Sequence, residues 1–307
     1  MAADAPGDTG IILHHYDASP FSWKVRATLG LKRLAWHSVV TPNMLPKPDL
    51  VALTGGYRRA PVLQIGADVY LDSQLALAEI ERRFPGHAAG PVWPTNLWAD
   101  RAFFQATVIV IFGAIGDRID PAFAADRERL SGRPFDVAAM RAMERPARAE
   151  WRAHAAWIER ALADRAFLGG DAPGIADVAA HMNIWFLAGA LPKVEEELSR
   201  GMTRLAGWSE AIRALGEGDR HERTGAEALA VARDAPPAPI DDPASPDPTG
   251  LSIGDQVSIA AIDYGRDAMA GTLVALTPDR MTIAREDAAL GAIHLHAPRI
   301  GYEIRPA

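Results

Sequence analysis

The spacing of apolar positions changes character three times along the 307-residue chain. Between residues 11 and 84, short apolar runs alternate with helix signals. Ile11-Ile12-Leu13 predicts a first strand. Ser19 followed by Pro20 suits a helix start, with Ser at the N-cap and Pro at the first position, and the helix runs to about Gly30 or Leu34. Residues 36–40 read as a second strand, and a loop with Pro42, Pro46 and Pro48 follows. Residues 60–65 read as a third strand with Pro61 near its head, a place where a missing N–H is tolerated. After a turn at 66–68, residues 69–71 give a fourth strand; Asp72-Ser73 then caps a helix to Phe84, stopped by Pro85-Gly86.

From 95 to 232 the spacing is helical throughout. Trp151, Ala155, Ile158 and Leu162 fall at steps of 4, 3 and 4 on one helix face. Residues 175–187 form a mostly apolar helix behind Pro173-Gly174, and Trp208, Ile212 and Leu215 mark another; no strand alternation is visible. Residues 235–250 carry six prolines in sixteen positions and read as an extended linker, with separately folding parts on either side. Beyond it the period shortens to two at Val257, Ile259 and Ala261, at Leu273 and Ala275, at Met281 and Ile283, and at Ile293 and Leu295. Turn signals at 264–267 and 277–280 separate these runs. They predict a small all-β module of four or five strands, sandwich- or barrel-like.

Composition narrows the function classes. Lys+Arg total 32 against 39 Asp+Glu, a net charge of −7, which argues against a general nucleic-acid binder. The last 57 residues repeat that balance, with five Arg, no Lys and seven acidic residues. The absence of cysteine removes disulfides, thiolate metal sites and a thiol nucleophile from the protein. The most apolar stretch, fifteen residues between Arg101 and Asp117, is shorter than the roughly 20 residues a membrane span needs and predicts a buried helix. Asp4 and Asp8 carry the wrong charge for a signal peptide. A cytoplasmic protein without membrane or nucleic-acid partners is the expectation.

Four motifs then carry a family resemblance. Tyr16-Asp17-Ala18-Ser19-Pro20-Phe21-Ser22-Trp23-Lys24-Val25-Arg26 is similar to the first-helix motif of serine-type glutathione transferases, in the S-x-x-S-W-[KR]-V-R form of zeta- or theta-like bacterial members. Arg59-Ala60-Pro61-Val62-Leu63 resembles their K-V-P-V-L segment, Asp72-Ser73 their E-S pair, and Gly174-Ile175-Ala176-Asp177 their [ST]-I-A-D helix start. The resemblance spans residues 10–230 and leaves out the C-terminal β module. It implies an α/β plus all-α fold: a thioredoxin-like glutathione-binding domain over 10–86 and an all-helical domain over 95–232. The linker at 235–250 and a small all-β, SH3-like barrel module at 251–307 complete the expected organisation.

The resemblance also assigns roles. Glutathione is the co-substrate and a small apolar electrophile the second substrate, in a homodimer. Ser19 would stabilise the glutathione thiolate by a hydrogen bond at a helix N-terminus, where the dipole adds partial positive charge. Ala60, before a cis Pro61, would pair its backbone with the cysteinyl part. Ser73 would take the γ-glutamyl carboxylate at a helix N-terminus, Asp72 the ammonium, and Arg59 the glycyl end. Trp98, Phe103, Phe104, Phe112 and Ile115 lie on the helix that walls the electrophile pocket, mostly as core, with Arg118 reaching in. Some residues depart from the pattern: Pro20 follows Ser19 as in cysteine-type members, without the cysteine, and Gly174 replaces a Ser/Thr cap. His14-His15 read as packing residues. His294-x-His296 shares one strand face, but two donors without a third predict no metal. The alternative reading is a non-catalytic scaffold or regulator of the same fold, whose partner docks on the β module.

Overall fold

The computed structural model describes residues 10–241 and 247–307. The chain opens with β1 (Ile12–His15), whose four residues are all buried. α1 (Pro20–Leu31) begins where the Ser-Pro pair predicts: Ser19 Oγ accepts from the Ser22 N–H at 3.1 Å. β2 (Ala35–Val40) pairs parallel with β1. α2 (Pro48–Thr54) occupies part of the stretch read as a loop; Pro48 sits in its first turn, where no donor is missed. β3 (Val62–Ile65) runs antiparallel to β1 and forms a hairpin with β4 (Asp68–Leu71). α3 (Ser73–Arg83) follows, capped by Asp72. The Ala60–Pro61 peptide is cis, as the resemblance implies; Leu45–Pro46 is cis as well.

α4 (Val92–Trp98) passes through a π-turn at Ala99–Phe103 into α5 (Phe104–Ile115). By length and composition alone, Val92–Ile115 reaches the dimensions of a membrane span. Its Phe103, Ala106, Val110 and Ile111 are instead buried in one core with α1 and the helices that follow. These are α6 (Pro121–Ser131), α7 (Val137–Ala161), α8 (Ile175–Ala190), α9 (Pro192–Ser199) and α10 (Thr203–Arg213). The expected stripe holds on α7, where Trp151, Ala155 and Ile158 are buried. The all-helical reading to residue 232 needs one correction. β5 (Asp219–Glu222) leaves the helices and pairs parallel with β2, before α11 (Gly225–Arg233).

The larger correction concerns the C-terminal strands. β6 (Gln256–Ala261), β7 (Met269–Leu276), β8 (Arg280–Asp287), β9 (Gly291–Pro298) and β10 (Tyr302–Pro306) fall where the two-residue period predicts. They are not a detached barrel. β9 pairs parallel with β4, giving one ten-stranded sheet of order β10-β6-β7-β8-β9-β4-β3-β1-β2-β5. Leu50, Leu53, Val62, Val69 and Leu71 share a core with Val257, Leu273, Met281, Ile283 and Leu295. Each such buried side chain contributes about 1.5–3 kcal/mol relative to exposure. The Pro-rich segment therefore joins two parts that share one sheet and one apolar core. It is itself docked: the Ala238 N–H donates to Asp68 Oδ2 at 2.8 Å. Residues 242–246 of that segment lie outside the described residues.

Candidate active site

The N-termini of α1 and α3 and the cis-Pro61 turn meet on one side of the sheet, facing the start of α5. A polar cavity of about 380 Å³ opens there, lined by Ala60, Pro61, Asp72, Ser73, Asp100 and Arg101 among others. Asp72 holds φ at 71°, so its side chain folds back onto the helix start and Oδ1 accepts from the Gln74 N–H at 3.0 Å. Burial alone would push the Asp72 carboxyl up. The Arg59 guanidinium and the Gln74 amide outweigh it, and the group rests below its ordinary value. Asp100 faces the same cavity from the π-turn, an irregularity that often marks a functional position in a helix. Burial pushes its carboxyl up, opposed by the Lys24 ammonium at 2.7 Å.

The C-terminal strands supply a third wall. Tyr264 and Asp263, on the turn after β6, and Tyr302, at the head of β10, converge on Arg59. Arg59 donates to Asp263 Oδ1 at 2.9 Å and to Asp72 Oδ2 at 3.2 Å, with its guanidinium 4.2 Å from the Tyr264 ring centroid. Asp263 Oδ2 accepts from Arg101 at 2.8 Å, so one carboxylate bridges two cavity arginines. The Tyr302 hydroxyl donates to Asp72 at 3.2 Å and lies 3.1 Å from the Tyr57 hydroxyl. Gly265 lets this turn close: with φ +59°, an added Cβ would lie 3.0 Å from both Arg59 Cδ and Leu130 Cδ1.

A second, mostly apolar cavity of about 540 Å³ adjoins the first. Phe104, Val108, Phe112, Phe123, Phe135 and Phe186 give it apolar walls. Lys47, Arg58 and Arg127 gather at one side around Asp126. Burial and then the Arg127 charge lower the Lys47 ammonium to about 8, with Asp126 opposing. Phe21, Arg59, Ala60, Phe104 and Tyr264 are among the residues the two cavities share.

The structure thus brings Arg59, Ala60, Pro61, Asp72 and Ser73 together. Ser19 lies at the adjoining helix start but is only 1% exposed and lines neither cavity, whereas Tyr16, Ala18, Pro20 and Phe21 do line the apolar one. Arg59 is committed to Asp72, Asp263 and Tyr264. Of the α4–α5 residues, Phe104 and Phe112 reach the cavity; Phe103 is core, and Trp98 packs on Phe103 and His154. Neither Ile115 nor Arg118 is among the lining residues. Asp100, Asp263, Tyr264 and Tyr302 escaped the sequence reading: Tyr264 lies in the segment read only as a turn, and Asp263 immediately before it. His14 packs as expected. It is buried, 2.8 Å from Gln64, and burial lowers it to about 4.

A thioredoxin-like sheet with a cis-proline turn and a helical domain together frame the two cavities. Residues 13–88 match the family described as "Glutathione S-transferase, N-terminal domain" and 98–211 "Glutathione S-transferase, C-terminal domain". A GST-like protein from Pseudomonas syringae is 32% identical at a TM-score of 0.80, covering 97% of this chain and 100% of its own. A glutathione S-transferase from Rhodospirillum rubrum F11 is 21% identical at TM-score 0.51, over 66% of this chain and 88% of its own. The β-etherase LigF from Sphingobium sp. strain SYK-6 is 17% identical at TM-score 0.50, over 67% and 96%. No curated protein matches the chain. The chain belongs to the glutathione S-transferase family and is a glutathione S-transferase-like enzyme. The Pseudomonas relative's coverage extends through the C-terminal strands; the other two stop short of a similar share.

Proposed function

We propose that the protein ionises the glutathione thiol at the start of α1 for attack on a small apolar electrophile, with Ser19 as the hydroxyl that holds the thiolate. The carrying observation is the junction of a polar and an apolar cavity at Phe21, Ala60 and Phe104, beside that helix start. Asp72 and Asp100 offer carboxylates to the γ-glutamyl ammonium, while Ser73 and the α3 N-terminus suit its carboxylate. Ser19 Oγ accepts from Ser22, which leaves its own hydrogen free to donate. The site uses Asp263, Tyr264 and Tyr302, so the C-terminal strands have a task inside the enzyme that needs no outside docking partner. The same reading takes the working form as a homodimer, which sedimentation of the purified chain tests.

Ser19→Ala removes a charge-assisted hydrogen bond of about 1.5–3 kcal/mol. At about 1.36 kcal/mol per unit, the bound thiol should titrate about one to two pH units higher, and conjugation at neutral pH should fall about tenfold or more. Thiolate absorbance of bound glutathione against pH measures this. Tyr16 is the competing hydroxyl, because it lines the apolar cavity and Ser19 does not. If Tyr16→Phe raises the thiol's titration point and Ser19→Ala leaves it alone, the role passes to Tyr16.

A further inference from the structure

His294-x-His296 offers two imidazoles, and the fold supplies the third donor the sequence lacks. β9 lies parallel against β4 with Asp68 opposite His294 in register. Asp68 Oδ1 lies 2.9 Å from His296 Nε2 and 3.6 Å from His294 Nδ1, and the three donor atoms are within 4.8 Å of one another. Two ligands on one zinc ion, at bond lengths of about 2.0–2.1 Å and a tetrahedral angle, stand ~3.3 Å apart. The two observed separations bracket that value.

Four further features set this cluster apart from an ordinary ion pair. His294 Nδ1 is buried and has no hydrogen-bond partner; at 3.6 Å from the carboxylate it is out of reach. His296 is held from behind, as metal-binding imidazoles are: its Nδ1 is 2.9 Å from Thr282 Oγ1, and its ring stacks on Tyr70 at 4.3 Å. The Ala238 N–H fixes the other Asp68 oxygen. His294 keeps 15% of its side chain exposed, against 5% and 3% for Asp68 and His296, which gives an ion a way in.

We propose that Asp68, His294 and His296 bind one divalent transition-metal ion, zinc fitting best, with water as the fourth ligand. Two imidazoles and one carboxylate suit zinc and disfavour calcium or magnesium, which take oxygen donors. The ion ties β9 to β4 and so fixes the C-terminal wall of the glutathione cavity to the strand that leads into Asp72. The proposal does not depend on the thiol-activating residue.

Untagged full-length protein, stripped with chelator, should bind one Zn²⁺ per chain by calorimetry and gain several degrees in Tm. Co²⁺ should give the visible absorption of a tetrahedral nitrogen–oxygen site. His294→Gln should leave the Tm of the stripped protein nearly unchanged, because Nδ1 there makes only a long 3.6 Å contact with Asp68, yet weaken zinc binding at least tenfold. Asp68→Asn should abolish it. Should Asp68→Asn fail to fold, the His294→Gln comparison decides. Absence of binding heat and of a Tm shift at 1 mM Zn²⁺ (about a thousandfold above a micromolar site), or equal binding by His294→Gln, overturns the proposal.

Discussion

The thioredoxin-like strands β4-β3-β1-β2 are extended at both edges, by different means. At the β2 edge, β5 adds four residues, three of them exposed, through backbone pairing and polar contacts such as Arg220 to Asp17. At the β4 edge, β9 brings four further strands, a shared apolar core and the residues that grip Arg59. Pairing alone is enough to cover an open edge. Burial is what couples an added segment to the rest of the molecule, and here it carries active-site groups with it. The two edges should therefore respond very differently to perturbation.

Deleting 251–307 is the harshest test and should have the largest effect. It exposes Val62, Val69, Leu71 and Tyr57 together, and at about 1.5–3 kcal/mol each that rivals the whole stability of a domain. The truncated chain should lose cooperative unfolding and glutathione binding; retention of both would mean the β4 edge is as loosely coupled as β5. Acid comes next, acting on β1 between the edges and on α8 behind it. His14 on β1, facing Gln64 and Asp49, is lowered to about 4 by burial. His15, near Arg26, Arg220 and Asp17, and His181 near Arg213 are lowered to about 3, again chiefly by burial. Each of these three imidazoles binds fewer protons in the native state than in the unfolded chain below pH 6.5, so their contribution to stability is complete above that pH. It falls as the pH drops toward 4, by on the order of 4 kcal/mol per unit while all three differ. Tm measured from pH 7 to 4 should drop steeply with no edge substitution at all.

Asp263→Ala should weaken glutathione binding about tenfold or more, because it frees Arg59 and Arg101 at once. Calorimetry reads this, and an unchanged affinity would remove the C-terminal wall from the site. The smallest effect belongs to the other edge. His221→Ala, on exposed β5, should shift stability by no more than about 0.5 kcal/mol in urea unfolding.

Local signals carried much of this structure in the sequence. Ser19-Pro20 starts α1, Asp72 caps α3, and the stripe on α7 is buried as its spacing demands. Arg59, Ala60, Pro61, Asp72 and Ser73, singled out by motif, do meet at one cavity. The illegible parts depend on partners far away in the chain. β5 has no apolar alternation because both its faces are largely wet. In β9 the buried Ile293 and Leu295 alternate with His294 and His296, which reads as a polar, solvated face. That face is not solvated: on the neighbouring strand β4, Tyr70 stacks on His296 and Asp68 meets the imidazoles. Proline density at 235–250 suggests an extended chain, and extension says nothing about what the segments at its ends pack against.

The order of synthesis gives the β4–β9 pairing a further consequence. Asp68 and His296 are 228 positions apart. At roughly 5–20 residues per second, a ribosome takes about 10–45 s to deliver the second after the first. Throughout that interval the outer edge of β4 has no partner strand from its own chain, and an unpaired edge is a template for neighbouring chains. The glutathione motifs and the helices that close over them have all emerged by then. A nascent chain stalled between residues 250 and 290 would hold every recognisable active-site motif and still be the form most prone to aggregate.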